Sequence, residues 1–220
     1  MKFTLTYEGQ LQASGNKPKN QNKWEIRKQL HPQLVDLWES HPALQWASLI
    51  GEQFPLGGSV HVAAHHSDTG EVRPPYVTRP AEPGETQRFV NLNEEIDKFG
   101  RKFRPLVRET YALHCGLKIV FLRKEAPGAI YQGGDLDGRL KTLIDALAMP
   151  QHREQVLADP DAPDPMFCLL EDDAMVSGLQ VESERLLGAG NQSNDYAHLL
   201  IEVDVRVRLP APYNESFLGG

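Results

Sequence analysis

Few cysteines and no long apolar run are the first features of this 220-residue chain, and both shortages exclude classes of protein. Cys115 and Cys168 are the only cysteines and match neither a disulfide framework nor a zinc-ligand spacing, so we expect free thiols in a reducing compartment. No apolar stretch approaches the roughly 20 residues of a membrane helix, and no signal peptide follows Met1. The sequence therefore predicts a soluble, cytoplasmic protein without a membrane partner.

Positive charge is also scarce, since 23 Lys and Arg face 30 Asp and Glu and the net charge is −7. This balance argues against a general nucleic-acid coat protein. The charge is uneven, however: residues 98–124 and 15–28 are basic, whereas residues 154–173 hold seven acids and no Lys or Arg. A nuclease requires such separation, because carboxylates hold metal while basic surfaces hold the phosphate backbone. Ordinary solvated helix faces are the alternative for residues 98–108.

Residues 135–147 form the most informative segment, Asp-Leu-Asp-Gly-Arg-Leu-Lys-Thr-Leu-Ile-Asp-Ala-Leu. Asp is a favoured N-cap, so a helix is predicted from Asp137 to residue 148. Its apolar face follows the i, i+3, i+4, i+7 spacing and consists of Leu140, Leu143, Ile144 and Leu147. Asp137, Lys141 and Asp145 are spaced by four and form a polar row beside that face. Taken alone, these residues are also typical of an N-capped amphipathic helix with solvated charges.

A second acidic cluster, Glu171-Asp172-Asp173, changes that interpretation. Carboxylates are hard oxygen ligands that suit Mg²⁺, and a nearby lysine can hold a phosphate group. The combination predicts a divalent-metal site that acts on a phosphodiester.

The pattern Asp-Leu-Asp-x-x-x-Lys-x-x-x-Asp-Ala-Leu, followed by an acidic pair ahead of a strand, resembles the RusA-type endodeoxyribonucleases. These enzymes are Holliday-junction resolvases, and the resemblance covers about residues 111–208. Five positions of the first motif keep the family's spacing. The chain departs from the family at Gly138, where Asn is usual, and at Met175, where Gln is common. The spacer between the motifs is also longer than usual, from residue 148 to residue 170.

The resemblance implies which residues carry the chemistry. The ligands implied for Mg²⁺, with Mn²⁺ as a substitute, are Asp135, Asp137 and Asp173. Lys141 corresponds to the family's lysine and completes the catalytic set. We expect Asp172 to be an outer ligand or to assist the attacking water, and Asp145 to orient Lys141.

The partners expected for such an enzyme are branched DNA and a second copy of the chain, because a junction resolvase cuts two symmetric strands. The residues expected to contact DNA are Lys17, Lys19, Lys23, Arg27, Arg101, Lys102 and Arg139.

The expected fold class is α+β, with a mixed or antiparallel sheet and flanking helices, similar to RusA, an N-terminal elaboration and a Pro/Asp-rich insert. Residues 1–210 are predicted to form a single nuclease domain that includes the insert, residues 149–169. Residues 211–220 are predicted to be a flexible tail. The insert is rich in proline and acids, so we expect it to be mobile or held by few contacts.

Two further local predictions concern secondary structure. Asn93 is a candidate cap for a helix over residues 94–103. Residues 174–187 and 197–208 are expected to pair as a hairpin, and the second of these segments alternates between apolar and polar residues.

The predicted function is a Mg²⁺-dependent, structure-selective endodeoxyribonuclease that hydrolyses DNA phosphodiester bonds. The alternative is a nucleic-acid-binding or regulatory protein on a RusA-like scaffold with weak or no cleavage. The acidic residues 154–173 favour that alternative, because they could shield the cleft from DNA or present a surface to a protein partner.

Overall fold

The structure, a computed structural model, describes residues 1–13, 19–45, 59–63, 76–80, 92–124, 136–188, 190, 192–210 and 214–218. The strands within these ranges are β1 (Lys2–Gln10), β2 (Ser59–Ala63), β3 (Tyr76–Pro80), β4 (Ile96–Lys98), β5 (Arg101–Val107), β6 (Leu113–Arg123), β7 (Met166–Leu170), β8 (Val176–Arg185) and β9 (Tyr196–Val207). The helices are α1 (Lys19–Ser40), α2 (residues 42–45) and α3 (Leu136–Leu147). The predicted α+β class is confirmed. None of the described helices is both long and apolar enough to span a membrane.

Four strands form the main sheet in the order β1-β9-β6-β8. β6 is antiparallel to β9 and parallel to β8, and β1 forms one edge, antiparallel to β9. In β9, Ile201, Val203 and Val205 are buried, whereas Glu202 and Arg206 point to the opposite face and are exposed. The predicted alternation in this strand is therefore confirmed, and one face of the sheet builds the core.

The predicted pairing of residues 174–187 with residues 197–208 is wrong, although both segments are strands. β6 lies between β8 and β9 and hydrogen-bonds to both. A parallel pair such as β6 and β8 cannot be joined by a tight turn and requires a crossover. The chain between these two strands contains α3 and β7, so it enters β8 directly from the acidic cluster at 171–173.

The predicted helix over residues 94–103 is also wrong. β4 and β5 form a hairpin whose two loop residues, Phe99 (φ 58°) and Gly100 (φ 82°), both adopt left-handed backbone conformations. Such a two-residue loop matches the twist of the strands that it joins. β5 also pairs in parallel with β7, so that the second sheet has the order β4-β5-β7. Pairing with a strand distant in sequence overrides the local helical pattern here.

Helix α1 packs against α3, β7 and β1 and thereby links the N-terminal part of the chain to the motif. Its buried apolar side chains are Trp24, Ile26, Leu30, Leu34 and Trp38. On α3 the buried face consists of Arg139, Thr142, Leu143, Ala146 and Leu147. Asp137 and Lys141 are exposed and Asp145 is half-buried, so the predicted polar row lies beside the core-facing side.

The insert over residues 149–169 is docked, which contradicts the prediction of a mobile segment. Its side chains join a second apolar cluster made of Trp24, Phe103, Met149, Ala162, Met166 and Cys168. Asp159 fastens it to α1, because its carboxylate accepts hydrogen bonds from Trp24 Nε1 at 3.1 Å and Lys28 Nζ at 3.0 Å. The contacts come from α1 and β5, which local composition does not reveal.

The predicted flexible tail also contains docked residues. Phe217 is 3% exposed and packs edge to face on Tyr111, with the ring centroids 6.0 Å apart. Asn214 is buried and donates to the carbonyl oxygen of Tyr111 at 3.0 Å. Residues 214–218 therefore belong to the packed part of the molecule.

Candidate carboxylate site

The last turn of α3 and the end of β7 lie side by side. Ala148 forms a parallel bridge with Leu170, and the amide of Met149 donates to the carbonyl oxygen of Leu170 at 2.9 Å. The amide of Glu171 continues this pattern by donating to the carbonyl oxygen of Val107 at 2.9 Å. The acidic cluster therefore begins where the sheet hydrogen bonds end, next to the C-terminal end of α3.

The three acids of this cluster have different roles. Glu171 Oε2 accepts the amide hydrogen of Glu109 at 3.0 Å and so fixes the connection between β5 and β6. Asp172 caps the short 3-10 turn Asp173–Met175, because its Oδ1 accepts the amide hydrogen of Ala174 at 2.9 Å. Asp173 is the first residue of that turn and is exposed.

The surroundings of Asp173 raise the pKa of its carboxyl group. Partial desolvation of its carboxyl group, a hydrogen bond with Asp172 and the negative charges of Asp172 and Asp145 together raise its pKa above the ordinary value. Asp145 comes from α3, whereas the other two come from the turn before β8. Because α3 contacts the turn Asp173–Met175, the negative charge of Asp145 acts on Asp173 from a separate element. We call these three acids the carboxylate cluster (Asp145, Asp172 and Asp173).

A lysine from α1 reaches this cluster. Lys23 Nζ lies 2.5 Å from Asp145 Oδ2, and the side chains of Lys23 and Asp145 are 5% and 20% exposed. Arg27, one turn later, donates from Nη2 to the carbonyl oxygen of Asp145 at 2.6 Å and from Nε to that of Ala148 at 3.0 Å. These hydrogen bonds satisfy carbonyl groups at the C-terminal end of α3, where the helix itself supplies no amide donor. Burial lowers the pKa of Arg27 to about 10, so it stays cationic at neutral pH.

Four of the predicted DNA contacts are corrected by these positions. Lys23 and Arg27 are buried and engaged with the end of α3. Arg139 is fully buried and donates to the carbonyl oxygen of Asn194 and to Asp195, which ties α3 to the start of β9. Arg101 donates to the carbonyl oxygen of Asp159 and stacks over the Trp24 ring at 5.5 Å, so it holds the insert. A guanidinium or ammonium engaged in this way is not available to a phosphate backbone.

Of the remaining predicted DNA contacts, two are exposed at the surface and one lies outside the described residues. Lys19 is exposed at the start of α1. Lys102 is 56% exposed and forms an ion pair with Glu95 at 2.9 Å. Lys17 and the predicted metal ligand Asp135 lie outside the described residues.

Of the polar row on α3, only Asp145 belongs to the carboxylate cluster. Asp137 is exposed in the first turn, and Asp145 lies eight positions later, about 12 Å along the helix axis. Lys141 is exposed and forms no ion pair with any described residue, so the predicted orientation of Lys141 by Asp145 is wrong. The partner of Asp145 is Lys23, which lies 122 positions earlier in the sequence.

The chemistry of the cluster suits a hard divalent cation, because its donors are carboxylate oxygens and its excess negative charge is what such a cation relieves. Its geometry does not fit one as placed, because the described ranges contain no group of three His, Cys, Asp or Glu side chains arranged to hold a metal ion. Sequence reasoning chose Asp173 but missed the position of Asp145 beside it, since the α3 spacing alone does not say which end of the polar row meets the turn before β8.

No family model, curated protein or solved structure matches the chain.

Proposed function

We propose that the chain is a Mg²⁺-dependent, structure-selective endodeoxyribonuclease whose metal site is built on the carboxylate cluster. The observation that carries this proposal is the contact of α3 with the turn Asp173–Met175, which brings the charge of Asp145 to the acidic cluster; desolvation and the charges of Asp172 and Asp145 raise the pKa of Asp173. A carboxyl group surrounded by like charges in this way is a frequent sign of a functional site. The resemblance of the motif to the RusA-type enzymes supplies the reaction class.

In this proposal Asp173, Asp172 and Asp145 would hold the metal; the predicted ligands Asp135 and Asp137 belong to the start of the motif, and Asp137 lies about 12 Å from Asp145 along α3, so it is the alternative ligand. When bound, Mg²⁺ would supply a more acidic water and neutralise charge on the phosphoryl oxygens. The hydrogen bond from the amide of Ala174 to Asp172 Oδ1 fixes the orientation of this carboxylate.

The cations of the chain have separate tasks in this proposal. Lys141 lies one helical turn before Asp145 and is exposed, so its ammonium group can contact a phosphate oxygen of an incoming strand. Lys19 and Lys102 are exposed and remain candidates for contacts with the DNA backbone. Branched DNA as the substrate, a homodimer as the active form and a cytoplasmic location stay predictions.

The test is a cleavage assay on four-way junctions, other branched DNA, single strands and RNA with Mg²⁺, Mn²⁺, Ca²⁺ or EDTA. We expect cleavage with Mg²⁺ or Mn²⁺ only, and a loss of about 100-fold or more in Asp173→Asn, in line with removal of a metal ligand. Asp161→Asn is the matched control, because Asp161 is an exposed acid of the insert outside the cluster. Full cleavage in EDTA, or by Asp173→Asn, would contradict the proposal.

The second candidate is a DNA-binding or regulatory protein without cleavage. The ion pair between Lys23 and Asp145 favours it, because a cation of the protein already neutralises part of the cluster. The same assay separates the two: this candidate requires binding to branched DNA with no product in any divalent metal.

A further inference from the structure

The two edge strands of the main sheet differ in how their outer sides are covered. At the β1 edge, side-chain amides of α1 take the place of a neighbouring strand. Gln33 accepts the amide hydrogen of Thr6 at 2.9 Å and donates to the carbonyl oxygen of the same residue at 2.8 Å. The remaining contacts of this kind join Gln29 to Glu8, and Asn22 to Gln10 and Gln12. The β1 edge is therefore closed to a further strand over residues 6–12.

The β8 edge has no such cover in the part of the chain that the structure describes. β8 pairs in parallel with β6 on one side, and no described strand lies on its other side. The amide of Leu186 donates to the carbonyl oxygen of Arg123, so the even-numbered residues towards the end of β8 face β6. Because this orientation alternates along a strand, the amide and carbonyl groups of Leu179, Val181 and Ser183 point away from the sheet.

The core side of β8 also ends in exposed apolar surface. Leu179 and Val181 lie on this side, because they are in register with Leu117 and Ile119 of β6, which are buried. Leu179 is nevertheless 46% exposed. A strand added at this edge would place its own apolar side chains beside Leu179 and extend the core.

The opposite side of β8 is acidic. Glu182 and Glu184 are two positions apart, so they lie on the same face of the sheet, and both are exposed. Lys118 Nζ lies 3.9 Å from Glu182 and is shared with Glu202 at 3.6 Å, so it neutralises this row only in part. A second copy of the chain would bring the same glutamates and a net charge of −7 to the edge, which disfavours pairing of two copies here. A strand with a basic side chain at every second position is complementary instead.

We propose that the open edge of β8 is a docking site for an extended, basic segment of another protein, which joins the main sheet as an additional strand. Its main chain hydrogen-bonds to the outward groups of Leu179, Val181 and Ser183. Its apolar side chains pack beside Leu179, and its alternate lysine or arginine side chains pair with Glu182 and Glu184. In this mode of recognition the main-chain hydrogen bonds supply affinity and the alternating side chains supply specificity. The surface uses no residue of the proposed metal site.

The experiment measures, by fluorescence anisotropy at low salt, how the full chain binds a fluorescent peptide in which lysine and valine alternate. A peptide in which glutamate and valine alternate tests the charge, and one in which lysine and serine alternate tests the apolar contact. We expect the lysine–valine peptide to bind, and both control peptides to bind at least about tenfold more weakly.

Two variants of β8 locate the binding. Val181→Pro removes an outward amide hydrogen but no bond to β6, and proline is tolerated at such positions of edge strands. We expect it to weaken binding about tenfold, in line with the loss of a main-chain hydrogen bond. Glu182→Gln combined with Glu184→Gln should weaken binding about fivefold at low salt. Glu202→Gln is the matched control and should bind as the unaltered chain does, because Glu202 also contacts Lys118 but lies on β9, two strands from β8. Thermal melting verifies that each variant folds.

Amide hydrogen exchange, measured by NMR, gives an independent result. We expect the outward amides of Leu179, Val181 and Ser183 to exchange more slowly with the lysine–valine peptide present, whereas those of Gln180 and Glu182, which face β6, change little. Equal binding of the glutamate–valine peptide, or full binding by the folded double glutamine variant, overturns the inference. Absence of any binding overturns it as well, and would mean that the two glutamates only protect the edge from pairing. None of these results bears on the metal-dependent cleavage assay.

Discussion

Asp137 and Asp145 lie on the same polar row of α3, but they have different neighbours. The sequence motif assigns metal binding to Asp137, whereas the charge that acts on Asp173 across the fold is that of Asp145. The two positions are about two helical turns apart. One amide substitution at each position therefore shows which end of α3 holds the metal.

We expect Asp145→Asn to weaken Mn²⁺ binding and to slow cleavage by about 100-fold, because it removes a ligand charge next to Asp173. Mn²⁺ titration and single-turnover cleavage of a four-way junction provide the measurements, with thermal melting to separate loss of folding from loss of function. Asp137→Asn is the comparison. If Asp145→Asn behaved as the unaltered chain while Asp137→Asn were inactive, the ligands would lie at the start of α3.

For single residues, the sequence predicted only those relations that join positions within one helix. The four-residue spacing of Asp137, Lys141 and Asp145 predicted the polar row correctly. The predicted N-cap role of Asp137 is wrong, because α3 begins at Leu136 and Asp137 lies within its first turn. The same spacing could not identify Lys23 as the partner of Asp145, because this contact joins residues 122 positions apart. Arg27 and Arg139 were predicted to contact DNA because they are cationic. Both are buried, since Arg27 packs between α1 and α3 and Arg139 packs between α3 and the start of β9.

Among the elements, the insert differs most from its expected behaviour. Proline and acidic residues suggested that it buries little apolar surface, yet Ala162 and Met149 pack with Trp24 and Phe103. Two other predictions were wrong for a related reason. They are the helix over residues 94–103 and the hairpin between residues 174–187 and 197–208. Local sequence does not decide whether a segment joins a sheet or which strand it pairs with, because contacts that are distant in sequence decide both.

The attachment of the insert through Asp159 makes a prediction about pH. Hydrogen bonds from Lys28 and then Trp24 lower the pKa of Asp159 below its ordinary value of 3.8. A carboxyl group whose pKa is lower in the folded state stabilises that state above its unfolded pKa, and this contribution is lost as pH falls through the folded value. Docking of the insert should therefore be constant near neutral pH and weaken only below about pH 4.

Asp159→Asn should remove this dependence and loosen the insert at neutral pH, because the amide loses the charge that Lys28 contacts. We expect faster amide hydrogen exchange in residues 151–165 and a lower Tm, with the exchange of β6 and β9 unchanged. Asp161→Asn is the control, since the described contact of Asp161 is made by its backbone amide. Equal exchange in Asp159→Asn and the unaltered chain would mean that apolar packing alone holds the insert.

Across the whole molecule, most basic side chains of residues 98–124 are buried or paired with other residues of the protein, so they do not form the predicted basic surface. Arg108 and Arg123 are buried, Arg104 pairs with Glu95 and stacks on Phe167, and Lys118 pairs with Glu182 and Glu202. Together with a net charge of −7, this leaves few described cations for DNA. Association with DNA is therefore expected to depend on divalent ions and on a small number of lysines.

Lys19 is the sharpest test of that expectation, because it is exposed at the start of α1, the helix that carries Lys23 to the carboxylate cluster. We expect Lys19→Met to weaken binding to a four-way junction at low salt and to make the slope of log K against log salt shallower by about 0.9, as for the loss of one phosphate contact. Lys118→Met is the matched control, since Lys118 lies on the face of the main sheet between two glutamates. Fluorescence anisotropy in Ca²⁺, which should permit binding without cleavage, gives both slopes. An unchanged slope in Lys19→Met, or the same loss in Lys118→Met, would mean that DNA does not approach along the start of α1 and that binding reflects the overall charge of the molecule.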